Sequence, residues 1–348
     1  MTDEQVLVTG GSGFIAQYCI LALLEHGYRV TTTLRTLARR EEVLDNLRTG
    51  GAEPAGRLSF VEADLMSDAG WSEAAAACTY VIHGASPTPS GDQVSEEDWV
   101  RPAVEGNLRV LRAARDAGVK RVVLTSAFGA MAGGRAEPRT RPFDETDWSD
   151  LSGNIAPYQK SKTLAERAAW DFIEREGDGL EFATVNPVTV LGPALGADYS
   201  HSIRLIKNML DGQPGCPKIN TCVVDVRDVA DLHIRAMTDP AARGERFLAT
   251  TGKSLWLAEI AGLLKTRMGP TADKVRARVL PNWFIRVVAL FNPAMRGIVW
   301  QLGADMNASG DKARRLLGWH PRSREEAIIA TAESLFRLNL LKIAPERR

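Results

Sequence analysis

The stretch Val6-Leu-Val-Thr-Gly-Gly-Ser-Gly-Phe-Ile-Ala16 decides the fold of this chain. Its apolar, β-branched start is typical of a buried strand, and the glycines that follow are typical of a tight turn that opens a helix. Such a turn lets a pyrophosphate approach the bare backbone, and the amides of the helix N-terminus favour its negative charge. The stretch therefore predicts a dinucleotide site in which Gly10, Gly13, Phe14 and Ile15 contact the cofactor.

The rest of the chain alternates β-branched apolar runs with helical patterns, which predicts a doubly wound parallel α/β sheet. Strands are predicted over residues 5–9, 28–34, 58–62, 80–83, 121–126 and 182–186, and helices over 97–117 and 158–176. The alternation then weakens, with a strand over 221–224 and helices over 226–237, 258–268 and 325–338. We expect a dinucleotide-binding domain over 1–187 and a smaller substrate lobe over 188–348, some segments of which return to the first domain.

Bulk composition narrows the function classes. The 348 residues include 43 Lys and Arg against 43 Asp and Glu, so the net charge gives no case for nucleic acid or a membrane as partner. The four cysteines form no CxxC pair and no His/Cys cluster, which predicts free thiols in a reducing cytoplasm and no metal site. Prolines and arginines interrupt the apolar stretch 279–300, so it is too short and too charged to span a bilayer. We expect a helix there that covers a pocket or makes a subunit contact.

Cofactor choice is decided at the end of the second strand. A site that prefers NAD places an acidic residue there for the ribose 2′-hydroxyl. Here the strand ends in Arg35, and Arg39 and Arg40 follow. A guanidinium attracts a 2′-phosphate, so the sequence favours NADP(H) over NAD(H).

Two later segments fit the same cofactor because open α/β sheets bind ligands at the carboxyl ends of their strands. Asp64 and Leu65 follow the third strand, where we expect them beside the adenine. Ala85 and Ser86 follow the fourth strand, where small residues let the backbone pass close to the ribose and nicotinamide.

Tyr158 and Lys162 form the predicted proton-transfer pair. Residues four apart on a helix share one face, so both side chains can meet one ligand. A free tyrosine has a pKa of about 10, and a neighbouring ammonium favours the phenolate. We therefore expect Tyr158 to give its proton to a substrate carbonyl oxygen, while Lys162 lowers the pKa of Tyr158 and holds the nicotinamide ribose.

Chemistry of this kind adds a hydroxyl that binds the substrate oxygen, and the end of the fifth strand is its expected source. That strand ends in Ser126 and is followed by Ala127. Because strand residues alternate faces, Ser126 does not simply replace a hydroxyl at position 127. Ser126 is therefore a weaker catalytic candidate than Tyr158 and Lys162.

By these segments the chain resembles an extended short-chain dehydrogenase/reductase, in the branch of dihydroflavonol, cinnamoyl-CoA and aldehyde reductases. The resemblance continues through Ser161-Lys-Thr-Leu-Ala-Glu-Arg-Ala-Ala-Trp170 and Asn186-Pro-Val-Thr-Val-Leu-Gly-Pro193. It implies a Rossmann sheet, NADP(H), a homodimer in many members, and Pro187 and Val190 as further cofactor contacts. The family has a catalytic serine where this chain has Ala127, and losing one such donor costs about 10² to 10³ in rate.

The sequence thus predicts an NADPH-dependent reductase of a small carbonyl compound. The downstream side chains Phe128, Met131, Trp148, Tyr199 and Met209, with several tryptophans that include those of the segment 283–300, favour an apolar or aromatic substrate. Two alternatives stay open: an NAD-dependent epimerase or dehydratase acting on a nucleotide sugar, and a cofactor-binding protein whose catalysis Ala127 impairs.

Overall fold

A computed structural model of the protein describes residues 4–54, 56–87, 95–134, 139–292 and 298–342. Its centre is a seven-stranded parallel sheet with the strand order β11-β6-β5-β4-β1-β2-β3. The strands are β1 (Gln5–Thr9), β2 (Arg29–Leu34), β3 (Leu58–Glu62), β4 (Tyr80–His83), β5 (Arg121–Thr125), β6 (Glu181–Pro187) and β11 (Arg246–Ala249). The predicted fold class is confirmed.

The strand order reverses at β1, which pairs with β2 on one side and with β4 on the other. The connections that leave these neighbours run in opposite directions, so a crevice opens at the carboxyl ends of β1 and β4. Thr9 lies opposite His83 in this register, and the glycine turn begins one residue later. The fold therefore places the turn at the position where open α/β sheets bind nucleotides.

Helices cover both faces of the sheet, as the period-two pattern of its strands requires. Val6 and Val8 belong to the core under α1 (Phe14–Glu25) and α8 (Val226–Thr238), whereas Leu7 faces the core under α4 (Glu96–Asp116) and α6 (Pro157–Glu176). The shorter helices α2 (Arg40–Thr49), α3 (Trp71–Ala75) and α5 (Gly129–Ala132) complete this part.

The remaining segments form a second core around Ile203, Ile206, Ile260 and Leu264. It contains the helices α7 (His201–Leu210), α9 (Leu257–Met268) and α12 (Arg324–Arg337), and the strands β7 (Thr189–Leu191), β8 (Cys216–Pro217), β9 (Asn220–Thr221), β10 (Val223–Asp225), β12 (Leu255–Trp256) and β13 (Val279–Leu280). α11 (Asp311–Leu317) packs beside β11, which returns to the large sheet next to β6.

Two predictions in this half were wrong in detail. The strand expected over 221–224 is divided at Cys222: β9 pairs antiparallel with β12, and β10 pairs parallel with β7. The long helix expected over 279–300 is only α10 (Asn282–Phe291) in the described residues, followed by a turn at Val299–Gln301. Within the described ranges, no helix is both long and apolar enough to cross a bilayer.

Candidate active site

The glycine turn is tight because two backbone segments meet there. Gly10 has a φ of 72°, and a Cβ on it would lie 2.8 Å from the Cα of Ala85. Only glycine allows this contact, which joins the turn after β1 to the turn after β4. Gly13 has an ordinary φ of −76° and is the N-cap of α1.

The N-terminus of α1 fits an anionic ligand. Gly13 supplies no capping side chain, and the first turn of α1 contains no acidic residue. The first amides of the helix are therefore left for another acceptor, and the helix dipole favours a negative one. Phe14 and Ile15, at the start of the helix, line the large cleft described below.

A buried chain of hydrogen bonds holds the turn after β4. The Ala85 amide donates to Thr9 Oγ1 (3.0 Å), whose hydroxyl donates to His83 Nδ1 (2.7 Å). His83 Nε2 then donates to Asn107 Oδ1 (3.1 Å), and the Asn107 amide donates to the Ala165 carbonyl (3.3 Å). Burial lowers the pKa of His83 to about 4, so the ring is neutral, as this pattern needs. His83 is structural.

The three arginines after β2 have different surroundings. Arg39 forms ion pairs with Glu42 (2.6 Å) and with Asp198 (2.5 Å), and it donates to Ser12 Oγ (3.3 Å). It therefore ties the glycine turn to the segment after β7, and its charge is already compensated by two carboxylates. The Arg40 guanidinium lies over a phenylalanine ring, whereas Arg35 is exposed at the end of β2. Arg35 and Arg40 are both exposed here, and Arg35 is the one that directly follows β2.

Asp64 and Leu65 lie after β3, at the same edge of the sheet. The Asp64 carboxylate accepts the Met66 amide (2.9 Å) and keeps part of its surface exposed. Leu65 is buried and packs closely on Gly106 of α4, because a Cβ added to Gly106 would lie only 2.9 Å from the Cβ of Leu65. Leu65 thus packs into the core under α4, and Asp64 is the more accessible of the two predicted adenine contacts.

Lys162 lies beside the turn after β4, where its ammonium donates to Ser86 Oγ (3.0 Å). Burial lowers its pKa to about 8, while the negative charge of Glu166, one turn further along α6, acts in the opposite direction. Lys162 consequently stays mostly charged at neutral pH despite its burial.

Tyr158 is at the mouth of the cleft, and its ring packs edge-to-face on Trp99 of α4 with centroids 5.9 Å apart. Although 44% of the side chain is exposed, the surrounding protein desolvates the phenol and raises its pKa to about 12. This direction is opposite to the one that we predicted from the neighbouring lysine. It leaves Tyr158 protonated, with a proton to donate.

The hydroxyls at the end of β5 are engaged by other groups. Ser126 is buried, and its hydroxyl donates to Glu166 Oε2 (2.5 Å). His233 gives its Nδ1 proton to the Val229 carbonyl (2.7 Å), so the Thr125 hydroxyl donates to His233 Nε2 (2.8 Å). Burial lowers the pKa of His233 to about 4 and keeps this ring neutral too.

Ala127 follows Thr125 and Ser126 and also lines the cleft, but its side chain is a methyl group. Its carbonyl accepts a hydrogen bond from Asn186 Nδ2 (3.3 Å). The position at which the resemblance places the catalytic serine is therefore part of the cleft wall, with a methyl group in place of a hydroxyl.

Glu166 is the residue that sequence reasoning missed. It is fully buried and accepts hydrogen bonds from Ser126, from Asn186 Nδ2 (2.7 Å) and from Arg246 Nε (2.6 Å), with Thr184 Oγ1 at 3.4 Å. The spacing 158, 162, 166 on α6 is the available signal, because residues four apart share a helix face. The network joins α6 to β5, β6 and β11 directly beneath the cleft.

The cleft itself has a volume of about 750 Å³ and lies between the sheet edge and the second core. Trp99, Phe128 and Trp300 give it an aromatic wall, and Phe14, Pro187 and Val190, which the sequence predicted as cofactor contacts, also line it. Of the other side chains predicted for the substrate, Met131 and Met209 are core residues, Trp148 stacks on the Arg246 guanidinium, and Tyr199 lines a separate surface pocket. Phe128 lines the cleft as predicted, and so does Trp300, one of the tryptophans expected from the segment 283–300.

Comparisons with known proteins agree with this geometry. A profile of the NAD dependent epimerase/dehydratase family matches residues 6–249. The chain is 35% identical over 251 residues to dihydroflavonol 4-reductase of Hordeum vulgare, which covers 69% of this chain and 68% of that protein. It is 32% identical over 269 residues to a putative NADPH-dependent methylglyoxal reductase of Candida albicans, covering 71% and 78%.

A solved structure is similar over nearly the whole chain. It is the crystal structure of a yeast methylglyoxal/isovaleraldehyde reductase complexed with NADPH, with a TM-score of 0.79 at 25% identity, covering 96% of this chain and 99% of that one. Together with the sequence relatives, it confirms the resemblance that the motifs predicted.

Proposed function

Because the chain belongs to the NAD-dependent epimerase/dehydratase family, we propose that it is an NADPH-dependent reductase that converts an aldehyde or ketone to an alcohol. The observation that carries the proposal is the placement of Tyr158 at the mouth of an apolar cleft, protonated, on the same helix as Lys162 and next to the uncapped N-terminus of α1. The chain is an oxidoreductase of the extended short-chain type, as its relatives are.

The residues present fit a nicotinamide dinucleotide. The bare backbone of Gly10 and the free amides of α1 suit the pyrophosphate, and Lys162 with Ser86 suits the nicotinamide ribose. When bound, the dinucleotide supplies the hydride that the carbonyl carbon receives.

Tyr158 is the proton donor of this proposal. Its raised pKa keeps the phenol protonated at neutral pH, which suits the direction of reduction, where the carbonyl oxygen gains a proton. The Lys162 ammonium, with its pKa of about 8, offsets the negative charge that develops on the phenolate as the proton leaves.

We assign Ser126 a positioning role, although the sequence suggested a catalytic one. Its proton is committed to Glu166, and the proton of Thr125 is committed to His233. Since Ala127 has no hydroxyl, Tyr158 binds the substrate oxygen without help from a side-chain hydroxyl of residues 125–127. The reaction proceeds at the lower rate that the loss of one preorganised donor implies.

The cleft favours an apolar or aromatic carbonyl substrate. Its wall of Trp99, Phe128 and Trp300 suits a flat or branched apolar group. The indole N–H of Trp300 has no acceptor in the described part of the chain, so a second oxygen on the substrate would satisfy it. The relatives include a reductase of dihydroflavonols, which supports this size and character.

NADPH is the proposed reductant because Arg35 directly follows β2, at the position where a preference for NAD would call for a carboxylate. The similar yeast structure holds NADPH. Four free cysteines, all buried, support a reducing cytoplasmic location.

The test of the proposal is NADPH oxidation, followed by its ultraviolet absorbance, against a panel of aliphatic and aromatic aldehydes and ketones. We expect steady turnover with at least one member and a strong preference for NADPH over NADH. A purified protein that carries tightly held NAD, exchanges no NADPH and turns over a nucleotide sugar would instead assign epimerase or dehydratase chemistry. Binding of NADPH without turnover of any carbonyl would leave the cofactor-binding alternative.

A further inference from the structure

Helix α10 carries an apolar stripe that points away from the protein. Its members are 41% to 84% exposed and recur at the spacing of one helix face: Trp283, Phe284, Val287, Leu290 and Phe291. The opposite face anchors the helix through Ile285 and Ala289, which are 3% and 4% exposed. A folded chain that exposes this many large apolar side chains together marks an interaction surface.

The segment that leads to this helix is strongly basic. Residues 265–286 contain six basic side chains and one acidic residue, Asp273, in a chain whose total charge is zero: Lys265, Arg267, Lys274, Arg276, Arg278 and Arg286. Three of the six donate to backbone carbonyls: Lys274, Arg276 and Arg278 donate to those of Lys342, Asp273 and Pro214, respectively. The zero net charge of the whole chain thus conceals a positive segment that leads directly into the apolar helix, with Arg286 on the helix itself.

The helix that carries the stripe lies next to the cleft. α10 packs against the turn Val299–Gln301, and two residues of that turn, Trp300 and Gln301, line the cleft wall. A surface that contacts α10 is therefore close to the entrance through which an apolar substrate would pass.

We propose that α10 and the basic segment that leads to it form a docking surface for an anionic membrane. Trp, Phe and Leu on one face of a short helix, with Arg and Lys beside them, are the composition of helices that lie in the membrane interface. Anionic headgroups match the basic segment, and the acyl region matches the stripe. The protein rests on the bilayer and does not span it. This inference rests on the surface alone and holds whether or not the reductase proposal does.

Co-sedimentation with vesicles tests the proposal independently of activity. Full-length protein is mixed with vesicles of pure phosphatidylcholine or of phosphatidylcholine with phosphatidylglycerol, at low and at high salt. We expect binding to the anionic vesicles that weakens at high salt, and little binding to the neutral ones.

Two sets of variants separate the apolar and the charged contribution. The double variant Trp283→Ser/Phe291→Ser should lower the partition coefficient at least about 100-fold, since each ring loses its burial in the interface. Its control, Leu37→Ser/Leu316→Ser, removes two exposed leucines elsewhere on the surface and should leave binding unchanged. Arg286→Gln should lower binding roughly five-fold, whereas Arg29→Gln, at an exposed position on β2, should not.

Absence of binding to both kinds of vesicle overturns the proposal, as does equal binding to neutral and anionic vesicles. A third result also overturns it: a dimer in light scattering that Trp283→Ser/Phe291→Ser converts to a monomer, without any vesicle binding. That outcome would assign the stripe to a second copy of this chain.

Discussion

Replacing Glu166 by glutamine should strongly destabilise the protein, because the carboxylate is the centre of the buried network under the cleft. Glu166 accepts from Ser126, Asn186 and Arg246 at 2.5 to 2.7 Å and is fully buried. Glutamine replaces one of the two acceptor oxygens by an NH₂ group that would face these donors, and it leaves Arg246 without its counter-charge. Breaking a buried ion pair by removing one partner costs about 3 to 5 kcal/mol. Nη2 of Arg246 already has no hydrogen-bond partner in the described residues. The variant would therefore weaken the polar contacts of a guanidinium that is already incompletely paired.

Thermal unfolding monitored by circular dichroism measures this effect. At roughly 2 °C per kcal/mol for a chain of this size, we expect Glu166→Gln to lower the Tm by about 6 to 10 °C. The control is Glu105→Gln, which disrupts an exposed pair with Arg101 and should not change the Tm measurably. A Tm within about 2 °C of the wild-type value for Glu166→Gln would refute the reasoning.

Three further predictions concern the cofactor site, the cleft and the buried histidines. Ala127→Ser should raise kcat/KM by about 10²- to 10³-fold, because it restores a donor to the cleft wall; an unchanged rate would show that the hydroxyl is not needed. Arg35→Ala should weaken NADPH binding, measured by calorimetry, and leave NADH binding unaffected, whereas Arg29→Ala should alter neither. Burial lowers the pKa of His83 and His233 from 6.5 to about 4, so the unfolded chain binds more protons in this window and stability falls as the pH drops from 6.5 to 4. Urea midpoints at the two ends of the window measure the loss, and His233→Gln should reduce it; an equal loss in the variant would contradict the assignment.

Local sequence pattern was sufficient to predict the first half of the fold. The bounds of β1, β3 and β4 agree with the predicted strands, because each is a short apolar run ended by a turn signal. The helix of Tyr158 begins with Pro157 at its first position, where the missing amide proton costs nothing. The i, i+4 spacing of Tyr158 and Lys162 needed only this helix to place both on one face.

The surroundings of the candidate site could not be predicted, since they come from residues far apart in the sequence. Glu166 meets Ser126 across 40 positions and Arg246 across 80. Arg39 meets Asp198 across 159 positions, so a residue that reads as a phosphate ligand is in fact neutralised. The periodicity of a sequence does not predict such long-range contacts. These contacts determine which hydroxyls and which arginines can still bind a ligand.

Helix α10 shows a different limit. The sequence predicts a helix in this region, and the structure has a shorter one, whose apolar spacing is that of a helix packed on a core. Periodicity does not say which face meets the protein: here the large aromatic side chains face outward, and the small face holding Ile285 and Ala289 is buried. The same lack of tertiary information led us to predict one continuous strand over 221–224, where the chain instead changes sheets at Cys222.

The most direct test of the account is the single-turnover rate of NADPH oxidation by wild type and by Tyr158→Phe, with a carbonyl substrate that the panel identifies. Phenylalanine keeps the ring against Trp99 and removes only the proton donor. We expect the rate of the chemical step to fall by about 10² to 10⁴, with NADPH affinity unchanged. A Tyr158→Phe enzyme that reduces the substrate at the wild-type rate would contradict the central claim that this phenol donates the proton.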